Sequence, residues 1–345
     1  MEQLTEAPFY WKTSLEDITA VVKRVKKGKV RILSRSAGGR DIPMVEYGEK
    51  QDFGRTANYN SACGARNPDH YANKKAGDRP VLLIVGGIHG GELEGIAAVL
   101  NLIQALETGV DFRGEKPENA SDILNSFRLL LIPCMNPDGR ARIPVNTVVG
   151  MSFRTFRYYV QGTWKDGSLC DWPGCKAVHP ILNDVEYLGG YFNDDGINMM
   201  HDNFFMPMAQ ETKDLMQLVD EEAVDATVLL HGGTNCVNHI INTSYVPLSI
   251  KQRQYEFTKR LKEASQAKEI KFKVFEINEI DGMDGRTPSF NLTSTLHHIS
   301  GGLSMTYETN MGLVDAPGEA YSYEEIWESH RILFEELFKF MKEKK

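Results

Sequence analysis

The 345-residue chain has no apolar run long enough to cross a bilayer. Its longest stretches, such as Val81 to Val85, are a fraction of the roughly 20 residues a spanning helix requires. No membrane partner is expected. It also lacks a basic excess: 39 Lys and Arg face 47 Asp and Glu, a formal charge of −8. A protein that tracks phosphates shows the opposite balance, so no nucleic-acid partner is expected. The one basic cluster, Lys23 to Lys27, falls at the end of a predicted helix, where cations complement the helix dipole. Met1 to Glu6 shows no basic stretch leading into an apolar one, so the expectation is no leader and a cytoplasmic setting. Cysteine is scarce, with five residues, and no second pair completes a zinc site around Cys170 and Cys175. Reduced thiols are expected. There is no internal repeat and no low-complexity tract, and the composition is that of an ordinary globular protein.

What is present alternates between two periods. Ser14 opens a helix that carries Leu15, Ile18, Val21, Val22 and Val25 on one side and closes at Gly28. Strands are predicted at 30–33 and 42–47, around the turn Ala37-Gly38-Gly39-Arg40. The continuous apolar runs at 81–85, 128–133 and 226–230 read as strands buried on both faces. Helices are predicted at 92–107, 210–222, 252–267 and from the capping box at Ser322 to about Lys342, with further strands at 271–277 and 303–307. This alternation predicts an α/β fold with helices on both faces of a parallel or mixed sheet. No linker divides it, so residues 1–345 are read as one domain, with insertions near 49–79 and 140–206.

In α/β proteins ligands bind beyond the carboxyl ends of the strands. Three such ends carry chemistry. The first is Gly86-Gly87-Ile88-His89-Gly90-Gly91-Glu92, where an imidazole and a carboxylate three residues apart can face one ion. The second is His231-Gly232-Gly233, just past a buried strand. Two histidines and one glutamate make a three-ligand zinc set that leaves a fourth position open. The third is Thr306-Tyr307-Glu308, where a carboxylate ending an apolar strand is costly unless it is paired or functional. Glu308 reads as a general base.

These segments resemble the zinc carboxypeptidases of the carboxypeptidase A type. His89-Gly90-Gly91-Glu92 matches their His-x-x-Glu pair, and Asn136-Pro137-Asp138-Gly139 matches a turn they carry at the same relative place. His231 matches the third ligand, Thr306-Tyr307-Glu308 the strand with the catalytic Glu, and Ser36 to Ile42 an early hairpin. The resemblance implies a mixed eight-stranded sheet flanked by helices, one catalytic zinc ion and hydrolysis of amide bonds. The implied substrate is a peptide or an acyl amino acid. It places Arg154 as the oxyanion-stabilising residue, with Arg157 beside it. It aligns Met200 and His201 with the Asn-Arg pair that holds a substrate carboxylate. It aligns His297 with the Tyr that caps the substrate, and Asn198 with the Asp that orients the first zinc histidine. An imidazole is not a bidentate guanidinium, so the usual carboxylate clamp is missing or rebuilt. Two other readings accompany this one: an N-acyl amino-acid deacylase of related design, and a zinc-binding module without catalysis.

Overall fold

A computed structural model describes residues 6–117, 120–277, 281, 282, 285 and 287–343. Residues 1–5, read above for a leader, lie outside these. No described helix is long and apolar enough to cross a membrane. The five cysteines are all free thiols.

Among the described residues there are ten strands: β1 (Lys29–Arg35), β2 (Asp41–Tyr47), β3 (Val81–Val85), β4 (Arg128–Ile132), β5 (Gly162–Trp164), β6 (Val185–Leu188), β7 (Ala226–Gly232), β8 (Asn238–Ile241), β9 (Phe272–Lys273) and β10 (Leu303–Thr309). Eight of them form one mixed sheet in the order β1-β2-β4-β3-β7-β10-β8-β9, while β5 and β6 pair separately. The centre of the sheet is parallel, β4 to β3 to β7 to β10, and both flanks contain antiparallel pairs. The helices are α1 (Leu15–Val22), α2 (Tyr59–Gly64), α3 (Leu93–Thr108), α4 (Ala120–Ser126), α5 (Pro137–Arg142), α6 (Phe153–Phe156), α7 (Gln210–Glu222), α8 (Leu248–Gln266), α9 (Leu292–Ser300) and α10 (Tyr323–Glu343).

Each central strand is apolar on both sides because both sides are covered. Leu82, Ile84, Leu129, Leu131, Val228 and Leu230 point to one core, shared with α1, α3, α8 and α10. Their sequence neighbours Val81, Leu83, Val85, Leu130, Ile132 and Leu229 point to a second core with α7 and α9. The period of two divides a continuous apolar run between two layers of helix.

The parallel centre has a consequence for chemistry. The carboxyl ends of β3, β7 and β10 lie side by side, and register sets Glu308 of β10 directly opposite His231 of β7. Residues that are far apart in the chain thus meet at one edge of the sheet.

His330 of α10 is buried behind this edge. Its Nδ1 donates to the Ile326 carbonyl at 2.9 Å, and its ring lies edge-on to Tyr307. Burial pushes its pKa down to about 4. The folded state therefore binds fewer protons than the unfolded chain between about pH 4 and 6.5. That contribution to stability is complete above pH 6.5 and is lost as pH falls toward 4. Relative to His330→Gln, the wild type should lose about 2–3 kcal/mol more between pH 7 and pH 4.5. Urea unfolding of both proteins at the two pH values measures the difference. Parallel loss in the two proteins would remove His330 as its source.

Several boundaries differ from expectation. The first helix ends at Val22 rather than running to Gly28, because the chain turns so that Lys26, Lys27 and Gly28 donate their backbone N–H groups to the Glu107 carboxylate. The strand expected at 271–277 is limited to Phe272–Lys273, which pairs with Asn238 and His239 of β8. The insertion 49–79 carries α2, which packs Tyr59 against Tyr71.

Candidate active site

His89 and Glu92 sit in the turn between β3 and α3. A close approach of backbones makes that turn. A Cβ on Gly90 would collide with the Arg140 nitrogen and the Gly139 carbonyl carbon and would lie 2.8 Å from the Asn136 carbonyl oxygen. The Gly90 N–H donates to the Gly190 carbonyl at 2.8 Å. The Asn-Pro-Asp-Gly turn is therefore the shelf on which the histidine loop rests. That shelf is itself braced, because buried Asp138 accepts from Ser36 Oγ at 2.6 Å, Gly38 N at 2.8 Å and Arg40 Nη1 at 2.8 Å. The early hairpin, the turn and the histidine loop thus form one supporting structure.

His89, Glu92 and His231 come together in the buried interior. Glu92 Oε1 lies 2.7 Å from His89 Nδ1, and Glu92 Oε2 lies 2.9 Å from His231 Nδ1. One donor atom from each residue falls within 4.8 Å of the others. On its far side His89 Nε2 is 3.1 Å from Asn198 Oδ1. That oxygen also accepts the Met200 N–H at 3.0 Å, so the atom facing Nε2 is an acceptor and Nε2 carries the hydrogen. In neutral His89 the Nδ1 lone pair then faces a carboxylate oxygen, two acceptors 2.7 Å apart. A cation between the partners, either a proton on the ring or a metal ion, relieves that contact. A metal ion satisfies both, and it would also meet Glu92 Oε2, which faces His231 Nδ1 at 2.9 Å. Two imidazoles and one carboxylate are a fitting donor set for zinc.

The electrostatics follow from the packing. Burial opposes ionisation of Glu92, but His89 and His231 outweigh it and hold the carboxyl well below its usual range. Burial alone would lower His231, and the Glu92 carboxylate reverses this and raises it. Glu308 stands at the mouth, half-buried. Burial, with repulsion from Glu92, pushes it up to about 7 against the pull of His231 and Lys176. A carboxyl poised near neutrality can both take and return a proton. A Cβ on Gly233 would lie 3.0 Å from Glu308 Oε2 and 2.7 Å from Cys236 Sγ, so the glycine after His231 leaves room for the glutamate.

Of the substrate-side residues expected from sequence, His201 is near the cluster. Burial, together with the charges of Lys176, His89 and His231, pushes it down to about 3, so it is a neutral imidazole at pH 7. His297 does not join the cluster. Its Nδ1 is bound 2.8 Å from the Gly302 carbonyl, before the start of β10. At about 3.3 Å per residue that lies roughly 20 Å along the strand from Glu308. Arg157 is also engaged elsewhere: its guanidinium donates to the carbonyls of Leu169 and Cys170. Arg154 is exposed on α6, and among the described residues no hydrogen bond or ion pair ties it to the cluster.

Sequence reasoning missed the lining supplied by the long insertion. Trp172 lies with its ring centre 6.0 Å from that of His89 and 5.9 Å from that of His201. Tyr191 packs 4.4 Å from the His89 ring. His179 accepts the Asn198 N–H at 3.0 Å and so steadies the residue that orients His89. Lys176 follows Trp172 in the same loop and places its Nζ 3.8 Å above the indole. A loop rich in Trp, Pro, Gly and Cys with no period was the available signal.

The family model described as zinc carboxypeptidase matches residues 20–153. The fold is shared with a metallo-carboxypeptidase from Burkholderia cenocepacia, at 15% identity and TM-score 0.60, over 96% of this chain and 70% of that one. It is shared with a metallo-carboxypeptidase from Pseudomonas aeruginosa, solved with (2-guanidinoethylmercapto)succinic acid, at 15% identity and TM-score 0.55, over 96% and 70%. Carboxypeptidase A from Helicoverpa armigera is similar at 13% identity and TM-score 0.54, over 96% of this chain and 74% of that one. No curated protein matches the sequence.

Proposed function

We propose that the chain hydrolyses the amide bond next to the carboxyl-terminal residue of a peptide or a small acylated amino acid. His89 Nδ1, Glu92 and His231 Nδ1 would hold one zinc ion, and Glu308 would act as general base and then general acid. The observation that carries this reading is the facing of three metal-type donors within 4.8 Å beside a carboxyl poised near pH 7. Zinc bound there supplies a Lewis acid for the scissile carbonyl and lowers the pKa of a coordinated water toward ~7. Glu308 accepts a proton from the attacking water and returns it to the leaving nitrogen. Asn198 holds the His89 ring so that Nδ1 faces inward, using a neutral amide oxygen. Trp172 and Tyr191 cover the His89 side of the pocket and limit its access to bulk water.

The test is metal content of the purified chain together with turnover on a panel of N-acylated dipeptides and N-acyl amino acids. About one zinc per chain with hydrolysis of one substrate class supports the proposal. A folded, zinc-loaded protein that turns over neither class would leave the non-catalytic reading in its place.

Asn198→Ala should weaken zinc binding about 10- to 100-fold, because the ring it orients is freed. Competition with a chromophoric chelator reads this directly. Unchanged affinity would mean that packing against Tyr191 suffices to orient His89.

A further inference from the structure

The mouth of the site holds a cation that sequence reasoning did not assign. We propose that Lys176 receives the substrate's carboxylate and makes the site selective for amides that carry a free carboxylate beside the scissile bond. The inference rests on the hydrolase reading above and names the feature of the substrate that reading leaves open.

Four observations carry it. First, among the described residues the Lys176 ammonium has no hydrogen bond and no ion pair, and it lies 3.8 Å from the centre of the Trp172 ring. A cation on an indole face keeps its polar hydrogens free on the opposite side. Second, Trp172, on which the ammonium rests, lies 6.0 Å from the His89 ring and 5.9 Å from the His201 ring, so the loop that carries Lys176 borders the cleft. Third, Arg140, Arg142 and Arg157 are held by other partners, and Arg154 is exposed on α6 with no bond to the cluster among the described residues. Arg140 donates to Thr13, Ile143 and Asn146, Arg142 to Asp194 and two carbonyls, and Arg157 to Leu169 and Cys170. Fourth, His201 is neutral at pH 7 and has no charge to offer an anion.

The charge balance points the same way. A divalent ion in the centre is offset by the carboxylates of Glu92 and Glu308, which leaves the lysine uncompensated. The anion a peptide or acyl amino acid brings close to its last amide is its terminal carboxylate. A lysine meets it as a point charge rather than as a two-pronged fork, so orientation must come from other contacts, with Trp172 and His201 on either side.

The experiment uses the zinc-loaded full chain and matched pairs of N-acetyl dipeptides, each as free acid and as C-terminal amide. Lys176→Met should lower the preference for acid over amide, measured as the ratio of kcat/KM values, about 10- to 100-fold. The loss should fall mainly on KM of the acid, and Lys176→Arg should restore most of it. Zinc content and melting temperature of each variant separate this from misfolding. An unchanged acid-to-amide ratio in Lys176→Met overturns the proposal, as does equal loss on both substrates. If the zinc-loaded wild type hydrolyses neither, the hydrolase reading fails on its own account. Calorimetric binding of the free acid to Glu308→Gln and to Glu308→Gln/Lys176→Met then still reads the lysine: weaker binding to the double variant supports the assignment, and equal binding overturns it.

Discussion

Glu308→Gln should lower kcat by about 10²- to 10⁴-fold while zinc stays bound. The amide keeps the shape of the side chain and its place opposite His231 but can neither take a proton nor carry charge. None of the three metal-type donors is touched, so zinc content should stay at one per chain and KM should change little. A variant with wild-type turnover would remove Glu308 from the chemistry. A variant without metal would show that it supports the His231 side of the site instead. The pH profile adds a second reading. Glu308 must be ionised to act as base, and burial raises its pKa toward 7, so kcat/KM should fall as the solution becomes acidic.

Why the metal-type donors could be read from sequence and the anion-binding residue could not is a matter of where each lies. His231 and Glu308 lie at the ends of apolar strands and His89 and Glu92 in the turn that follows one, and strand runs buried on both faces are visible in a single sequence. Once three parallel strands are placed side by side, their carboxyl ends have to meet. The helices at 93–108 and 210–222 were likewise legible from their apolar faces. The lining of the pocket depends instead on the path of the chain from 140 to 206, which has no period. There Arg154 and Arg157 were conspicuous as charges, yet one is exposed and the other is occupied with backbone carbonyls. Lys176 is one exposed lysine among many in sequence, and only the indole of Trp172 and the placement of the loop bring it over the cleft. The short strand β8 and helix α9 were missed for a related reason. Asn238–Ile241 is four residues held by pairing with β10, and Leu292–Ser300 is rich in Ser, Thr and His, with little local preference for helix.

The same contrast predicts which small change would damage the site most. Gly90 bears no functional group, yet any side chain there meets backbone on three sides, Asn136, Gly139 and Arg140. Backbone cannot rotate away as a side chain can, so either the shelf or the histidine loop must move. The shelf is fixed by Asp138 and its bonds to the early hairpin, which leaves the loop, with His89 as the adjacent residue. A displacement of about 1 Å in a catalytic group costs on the order of 10²-fold in rate. Overpacking adds about 1–3 kcal/mol of destabilisation. Gly90→Ala should therefore lower kcat/KM by about 10²-fold or more and weaken zinc binding, with a lower melting temperature even when zinc is saturating. Gly109→Ala supplies the control: a Cβ there meets nothing within 4 Å, although its φ of +83° strains any other residue. That variant should lose stability at the end of α3 and keep full zinc affinity. Equal loss of zinc affinity in both variants would show that the Gly90 effect is general destabilisation rather than misplacement of His89.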